Sequence, residues 1–587
     1  MLPEREPDEY MPEEIVLVLD TYRTEAENAR RSGPSPRDQI WEANWERYWN
    51  RYSSKDKAPW QSTHVMPEAP QFVDRWAAAM REALDAAGQE WFVVEDQGGT
   101  ESSLVQPITK AIRAVLSRCS RTPDGHIADF GSVFEDQMRL GALMACAASV
   151  TWREDTYGGW VSVDSVDPRE CWYDPKGRNM YRRRSYEVDH YELMALAREE
   201  DDDGDPIYDL DAIQELMSDI SEDRRVEKER STGHGQGEDA PLGRKPIKID
   251  EWLCNLVMPD GNLIAANHLV VVANDRHIIR GPEPNPFWHE HDWLVFTPMI
   301  SVPFSVYGRS YMEDWADVAD AFIELTNLIL DGAYTSTMRA FMANPDMFED
   351  PTQLDEGITP NKIFLTEDAV TDVRRALHQI DLGSLPPEAV TIWRMLKDEL
   401  REGAKLSEIA LGQLAPNSRT SATEITQVQQ SGSAMIRSMA RTIEARFLEP
   451  VLKLVWKTAL QHMDFTEIAD VIGDEWARVF NQRRTEFADR NVNIRVRGIS
   501  GMVDRQTKLQ NLLSALQIIG QNEMLMRQFM QNTSPQRLLD QMFMLFGLDS
   551  EQLRPSEREL AMQQVTQMQE QAAGAQPAQQ PGAELAQ

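Results

Sequence analysis

Cysteine is scarce in this chain: 587 residues carry four, Cys119, Cys146, Cys171 and Cys254, with no C-x-x-C pair among them. A disulfide framework or a common zinc module is therefore not expected, and reduced, buried thiols are. Long apolar runs are missing as well. Without about 18 consecutive apolar residues, no membrane-spanning helix is expected. The opening residues, Met1 to Glu9, have neither the basic nor the apolar region of a secretory leader, which reads as a cytoplasmic protein. Positive charge is in deficit, 60 Lys and Arg against 96 Asp and Glu, a formal net charge of −36. Because Lys and Arg supply most non-specific affinity for phosphate backbones, this balance argues against tight wrapping of nucleic acid. It leaves room for a surface that repels DNA.

Catalytic signatures are also lacking. No G-x-x-x-x-G-K-[ST] loop, H-E-x-x-H or G-x-S-x-G occurs, so neither a motor ATPase nor a common hydrolase is spelled out. Gly233-His234-Gly235-Gln236-Gly237 imitates a dinucleotide fingerprint but follows no strand and opens no apolar helix. Glu199 to Asp205 imitates a calcium loop with Gly204 at the sixth position, yet the twelfth falls on Leu210, where a bidentate Glu is required. His289 and His291 could share a strand face, without a third ligand at a recognised spacing, and read as a surface pair. One alternative stays open on these residues. It is a metal-dependent hydrolase built from Asp201, Asp202, Asp203 and Asp205 with His289 and His291. No cofactor is expected otherwise.

What is present is a 41% apolar composition, enough for real cores, on a chain long enough for about three to four domains. Trp41, Trp45 and Trp49 recur every four residues and predict a packing stripe on one helix. Helices are expected over Gln71 to Ala87, Pro107 to Ser117 and Phe130 to Ala148, and a strand at Trp91 to Glu95. From Ser149 the periodicity changes to two. Val150 to Arg153 and Trp160 to Val163 flank Gly158-Gly159 as a hairpin, and Ile247 to Val257, Leu263 and its neighbours, His268 to Ala273 and Arg276 to Arg280 read as an antiparallel meander. Between the two blocks, Glu199 to Ala240 carries 16 acidic and four basic residues, a solvated insertion with a short helix at Leu210 to Ile220. After Pro303, helices are expected over Tyr311 to Leu330, Pro386 to Leu411 and Ser421 to Met463, the last kinked or interrupted by Pro450. Val492 to Arg497 reads as a strand, Asp504 to Gly520 as helix, and Gln569 to Gln587 as a disordered tail.

The helix from Tyr311 holds the most informative pattern. Trp315, Val318, Phe322, Leu325 and Ile329 form an apolar stripe, while Glu313, Asp317, Asp320 and Glu324 form an acidic one at steps of four, three and four. Two readings are open: an ordinary solvated face, or the lining of a negatively charged hole if symmetry repeats the stripe around a ring.

Taken in order, these segments resemble the portal proteins, or head-to-tail connectors, of tailed bacteriophages, in particular the podovirus-like ones. The likeness runs from Ala58-Pro59-Trp60-Gln61-Ser62 through Val163-Asp164-Ser165-Val166-Asp167-Pro168 and Tyr173-Asp174-Pro175 to Pro303-Phe304-Ser305-Val306-Tyr307-Gly308-Arg309-Ser310 and the helix after it. Leu411 to Glu424 and Asn493 to Gly501 complete it. The resemblance implies an α+β, predominantly helical subunit with antiparallel sheets in a wing. Its divisions would be an N-terminal wing at 1–306 with the acidic insertion at 199–245, a first stem helix at 307–342 and a clip at 343–385. A second stem helix would follow at 386–411, a channel loop at 412–423, the long wing helix and strand at 424–505, crown helices at 506–568 and a tail at 569–587. It further implies a ring, usually of twelve subunits, in the virion at a capsid vertex and assembled in the host cytoplasm. Double-stranded DNA would pass through it, and the terminase large subunit, major capsid and scaffolding proteins and head-tail adaptors would bind it, with no membrane and no catalysis. Glu313, Asp317, Asp320 and Glu324 would line the channel, and Gln413, Asn417, Ser418 and Arg419 would form the channel loop. A different virion scaffold or adaptor is the remaining structural alternative.

Overall fold

The computed structural model describes residues 12–32, 36–51, 57–86, 91–95, 102–122, 125–155, 158–198, 206–218, 246–258, 261–337, 340–350, 352, 365–366, 372, 376–380, 386–403, 438–489 and 492–496. Two units emerge, Met1–Glu82 with Phe92–Val496, and Ala83–Trp91 with Arg497–Gln587. The architecture below is that of the first. The expected channel loop at 412–423, most of the acidic insertion, the crown helices at 506–568 and the tail at 569–587 lie outside the described residues.

Three helices open the chain, α1 (Pro12–Arg31), α2 (Arg37–Tyr48) and α3 (Glu68–Ala86), followed by β1 (Phe92–Glu95), α4 (Ser102–Leu116), the short pair β2 (Ser120–Arg121) and β3 (Ile127–Ala128), and α5 (Phe130–Leu143). Next come β4 (Cys146–Asp155), β5 (Gly158–Ser165), β6 (Cys171–Tyr173), β7 (Tyr181–Asp189), α6 (His190–Leu196), α7 (Leu210–Ser218), β8 (Pro246–Val257), β9 (Leu263–Ala273) and β10 (His277–Pro284). Strands β11 (Leu294–Thr297), β12 (Ile300–Val302) and β13 (Ser305–Arg309) lead into α8 (Ala316–Thr337). After it come β14 (Ala340–Ala343), β15 (Leu377–Ile380), α9 (Pro387–Gly403), a helix at Glu449–His462, shorter helices and β16 (Asn493–Val496). The fold is mixed helix and antiparallel sheet.

The expected meander forms a five-stranded antiparallel sheet in the order β10-β9-β8-β7-β6. Alternate residues of one strand serve opposite faces. Leu269, Val271 and Ala273 of β9 pack with Ile213 and Leu216 of α7, whereas Val270 and Val272 pack with Ile15, Leu19 and Ala26 of α1. The β9–β10 turn is made by Asn274 and Asp275, both with positive φ, as a tight hairpin of matching twist requires. The expected hairpin pairs Val150 with Val163 in a second sheet of order β11-β4-β5. Strand β1 pairs with β16, Phe92 opposite Val496.

Several expectations are corrected. Helix α5 stops at Leu143 rather than running to Ala148, because the Gln137 side chain accepts the Ala147 N–H (2.7 Å) and donates to its carbonyl (2.8 Å), drawing that segment into the sheet. Trp41 is fully buried and Trp45 half-buried, but Trp49 is 56% exposed, so the tryptophan stripe packs at one end only. The segment from Tyr311 begins with a 3₁₀ turn, Met312–Asp314, before α8 starts at Ala316 and continues to Thr337. Pro450 does not break its helix. The stretch into Glu449–His462 passes through one π turn, Glu444–Leu448.

An acid-rich chain places arginine in its core. Arg30 stacks 3.3 Å from the Trp172 ring and donates to the Cys171 (3.0 Å) and Arg169 (2.8 Å) carbonyls while pairing with Asp38. Arg183 lies 4.6 Å from the Trp172 ring and 5.2 Å from Trp252, with Glu27 and Asp250 in reach. This ladder joins α1 to the sheet. Replacing Arg30 with Met keeps the bulk but strips the buried Cys171 carbonyl and the part-buried Arg169 carbonyl of this donor and leaves Asp38 only Arg31 at 3.4 Å. The expected loss is about 3 kcal/mol in a denaturant titration, and an unchanged midpoint would show that the ladder is ornamental.

Candidate functional site

Helices α8 and α9 pack as a pair, with strands β14 and β15 joined antiparallel at their far end, Ala340 opposite Ile380. Phe322 meets Trp393 at 5.2 Å, and the Trp393 indole N–H donates to Thr326 Oγ1 at 2.8 Å. This interface uses only one side of each helix. On α8, Leu328, Leu330 and Tyr334 are left 43–56% exposed, and on α9 Val390, Ile392 and Met395 are left 38–65% exposed. Leu330 with Tyr334 on α8, and Ile392 with Met395 on α9, fall at helical spacing and each mark an exposed apolar face suited to contact.

A second side of α8 is polar and already occupied. Glu313 takes both oxygens to Arg37 (2.8 and 3.0 Å) and accepts the Ser310 N–H. Asp320 takes both oxygens to Arg47 (2.7 and 2.9 Å). Buried Asn327 accepts from Ser62 Oγ (2.9 Å) and the His64 N–H (2.8 Å) and donates to the His64 carbonyl (3.0 Å), and Asp331 accepts the Ser62 N–H at 2.6 Å. Glu313, Asp320, Asn327 and Asp331 thus follow one another at steps of seven, seven and four and fasten residues 37–64 along the helix. Of the four acids singled out by sequence, Asp317, Asp320 and Glu324 are exposed along α8, and Glu313 sits in the turn before it, nearly covered by Arg37. Among the described residues Asp317 and Glu324 form no ion pair.

A family model described as Phage SU10 portal protein matches residues 122–585, the greater part of the chain. The chain belongs to this family. It is a phage portal protein, a head-to-tail connector of the virion. No curated protein matches it. The family is structural and implies an oligomeric ring with capsid, terminase and tail partners in general. Among the described residues no helix is long and apolar enough to cross a membrane.

Gln413, Asn417, Ser418 and Arg419 lie outside the described residues, as do Asp201, Asp202, Asp203 and Asp205. Among the described residues no group of three His, Cys, Asp or Glu side chains is placed to hold a metal ion. All four cysteines are buried and unpaired. His289 is no surface residue. Its ring is buried, stacked 5.1 Å from Phe287 and 6.4 Å from exposed His291, and its Nδ1 accepts the His291 N–H at 3.0 Å. Burial first, then His291 and Lys457, pushes its pKa down to about 3. Asp292 beside it is pushed up to about 6 by burial, against the pull of Arg182.

Sequence reading missed Arg37, Arg47, Ser62, His64, Asn327 and Asp331. The heptad step of polar residues through Glu313, Asp320 and Asn327 was the available signal. Asn327→Leu should cost about 2 kcal/mol, since Ser62 and His64 lose their partners. It should also speed limited proteolysis within residues 57–64; an unchanged cleavage rate would mean the segment is held elsewhere.

His289 and Asp292 make opposed pH dependences. With its pKa lowered, His289 contributes stability that is present above pH 6.5 and lost as pH falls toward 3. With its pKa raised, Asp292 contributes stability that is present below pH 3.8 and lost as pH rises through 6. Between pH 6 and 3.8 the two slopes, each about 1.4 kcal/mol per pH unit, cancel. Asp292→Asn should therefore make stability fall on acidification in that window, and His289→Gln should make it rise. Denaturant midpoints at pH 4, 5 and 6 measure both, and parallel behaviour of the two variants would contradict the assignment.

Proposed function

We propose that about twelve copies of this portal protein close into a ring at one capsid vertex, and that double-stranded DNA enters and leaves the head through its central channel. The terminase large subunit docks on the ring during packaging and head-tail adaptor proteins replace it afterwards. Major capsid and scaffolding proteins hold its outer surface, and assembly takes place in the host cytoplasm. In this reading α8 and α9 are the stem, β14 and β15 with their neighbours the clip, the sheets the wing, residues 412–423 the channel loop and residues 506–568 the crown.

The observation that carries it is the α8–α9 pair, whose exposed apolar side chains call for a neighbouring subunit while Asp317, Asp320 and Glu324 stay in water. Such a pair, repeated around an axis, buries the apolar sides between copies and turns one acidic row per copy toward the hole. A negatively lined conduit lets a polyanion slide without sticking. In this reading Arg37 covers Glu313 and Arg47 holds both oxygens of Asp320, so Asp317 and Glu324 carry the free charge of the row.

Negative-stain microscopy and native mass of the purified chain test the ring. Closed rings of about a dozen copies are expected, and a monomer that persists in the presence of scaffolding and capsid proteins would overturn it. For the channel, Asp317→Lys with Glu324→Lys should leave rings intact and slow DNA translocation during packaging, through transient phosphate contacts. Unchanged translocation would place the row away from DNA. Arg419→Ala with unaltered packaging and DNA retention would remove the channel-loop contact.

A further inference from the structure

The helix Glu449–His462 carries Lys453, Lys457 and Gln461 at steps of four, on one face. Gln461 fixes what that face meets. Its Oε1 accepts the Trp288 N–H and its Nε2 donates to the Pro286 carbonyl, both at 3.0 Å, so the lysine row runs beside the loop between β10 and β11. Exposed His291 ends the ring stack of that loop, and Trp288 next to it is 38% exposed. Burial first, then Lys457, Arg182 and Lys453 against the opposing Glu290, lowers the His291 pKa.

These lysines are anomalous in a chain with so many carboxylates. Lys176 reaches Glu25 at 2.5 Å and Lys248 reaches Asp275 at 2.9 Å, but among the described residues Lys453 and Lys457 form no ion pair although both are half-buried. The local acids do not answer them. Asp292 is buried, accepting the Leu294 N–H at 3.0 Å with Arg182 at 3.8 Å, and exposed Glu290 is a single charge on the loop. A half-buried ammonium group without a counterion has a desolvation cost that an incoming carboxylate would offset.

We propose that Lys453 and Lys457, with Trp288 and His291 beside them, form an acceptor surface for carboxylates on the next copy of this chain. The inference rests on the ring reading above. The partner follows from charge: a chain of net −36 brings surplus carboxylates wherever it lies, and a ring neighbour is held at high effective concentration. A DNA backbone, by contrast, would be repelled by the same net charge before reaching two lysines. Trp288 supplies the apolar anchor that tight interfaces place near such charges.

The test uses full-length rings assembled from equal parts of unlabelled and ¹⁵N-labelled chain, treated with a zero-length carbodiimide cross-linker. Cross-linked peptides of mixed isotope containing Lys453 or Lys457 are expected. Intact wild-type rings in which these lysines join only carboxylates of their own copy, or none, would overturn the surface while leaving the ring. If wild-type chain forms no rings at all, the ring reading and this inference fall together. The double variant Lys453→Glu, Lys457→Glu should keep the wild-type circular dichroism and melting point as a monomer but lose rings at least tenfold in yield. Rings at undiminished yield would contradict the proposal. If those rings instead lose retardation of short duplex DNA at 150 mM salt, the lysines serve phosphate rather than a second copy.

Discussion

The ion pairs and hydrogen bonds that fasten residues 37–64 to the row Glu313, Asp320, Asn327 and Asp331 determine which sides of α8 remain free. A helix has limited circumference. One side of α8 is taken by α9 through Phe322 and Thr326, and a second by the N-terminal segment, so the exposed acids and the exposed leucines must share what is left. Buried Asn327 makes the arrangement specific. Its amide donates and accepts with the same backbone residue, His64, which only one register of the segment allows. Helix α2 and residues 62–64 are therefore tied to α8 through Asp320, Asn327 and Asp331.

The distribution of cations follows a complementary logic. Arg30 and Arg183 are buried against indoles, where a planar guanidinium can stack; Arg30 still directs its N–H groups to two carbonyls and Asp38, and Arg183 donates to Glu27. Lysine could not do both. Arg47 meets Asp320 on α8 with two parallel bonds from Nε and Nη2, and Arg37 straddles both oxygens of Glu313 in the turn before α8 from Nη1 alone. With so much of the arginine committed within the subunit, Lys453 and Lys457, which form no ion pair among the described residues, are left as cations that the proposed ring contact could use.

Local order in this chain was legible wherever periodicity and turn chemistry agree. The β4–β5 hairpin and the β8–β9–β10 meander follow from alternation and from Gly158, Asn274 and Asp275 at the turns. What sequence could not show is set by distant partners. Strand β1 pairs with β16, Phe92 opposite Val496, far apart in sequence. Helix α5 ends where Gln137 captures Ala147, a side-chain contact that propensity does not encode. At the site, spacing places Asp317, Asp320 and Glu324 on a helix but not Glu313, which falls in the turn before it, and which acids are free was hidden, because Arg37 and Arg47 reach Glu313 and Asp320 from more than 270 positions away. The reading of His289 as a surface residue failed for a related reason: a His-x-His run cannot reveal that Phe287 and a helix near residue 457 close over one ring.

Pro450 illustrates how a local defect becomes a joint. Lacking an N–H, it cannot bond to the carbonyl four residues back, that of Arg446, and a mid-helix proline ordinarily kinks the chain for this reason. Here the carbonyl is claimed by Thr297 Oγ1 at 2.8 Å, the π turn Glu444–Leu448 absorbs the crowding, and Arg446 itself donates to Ser301 at 2.8 Å. The helix is thereby pinned to β11 at one end and to the loop before β11 through Gln461 at the other. Two attachments to one continuous stretch of chain leave the helix no freedom to slide, so Lys453 and Lys457, lying between them, are held in fixed register beside His291. A surface that must meet the same carboxylates in every copy of a ring needs that rigidity, and the proline expected to kink or interrupt the helix supplies part of it.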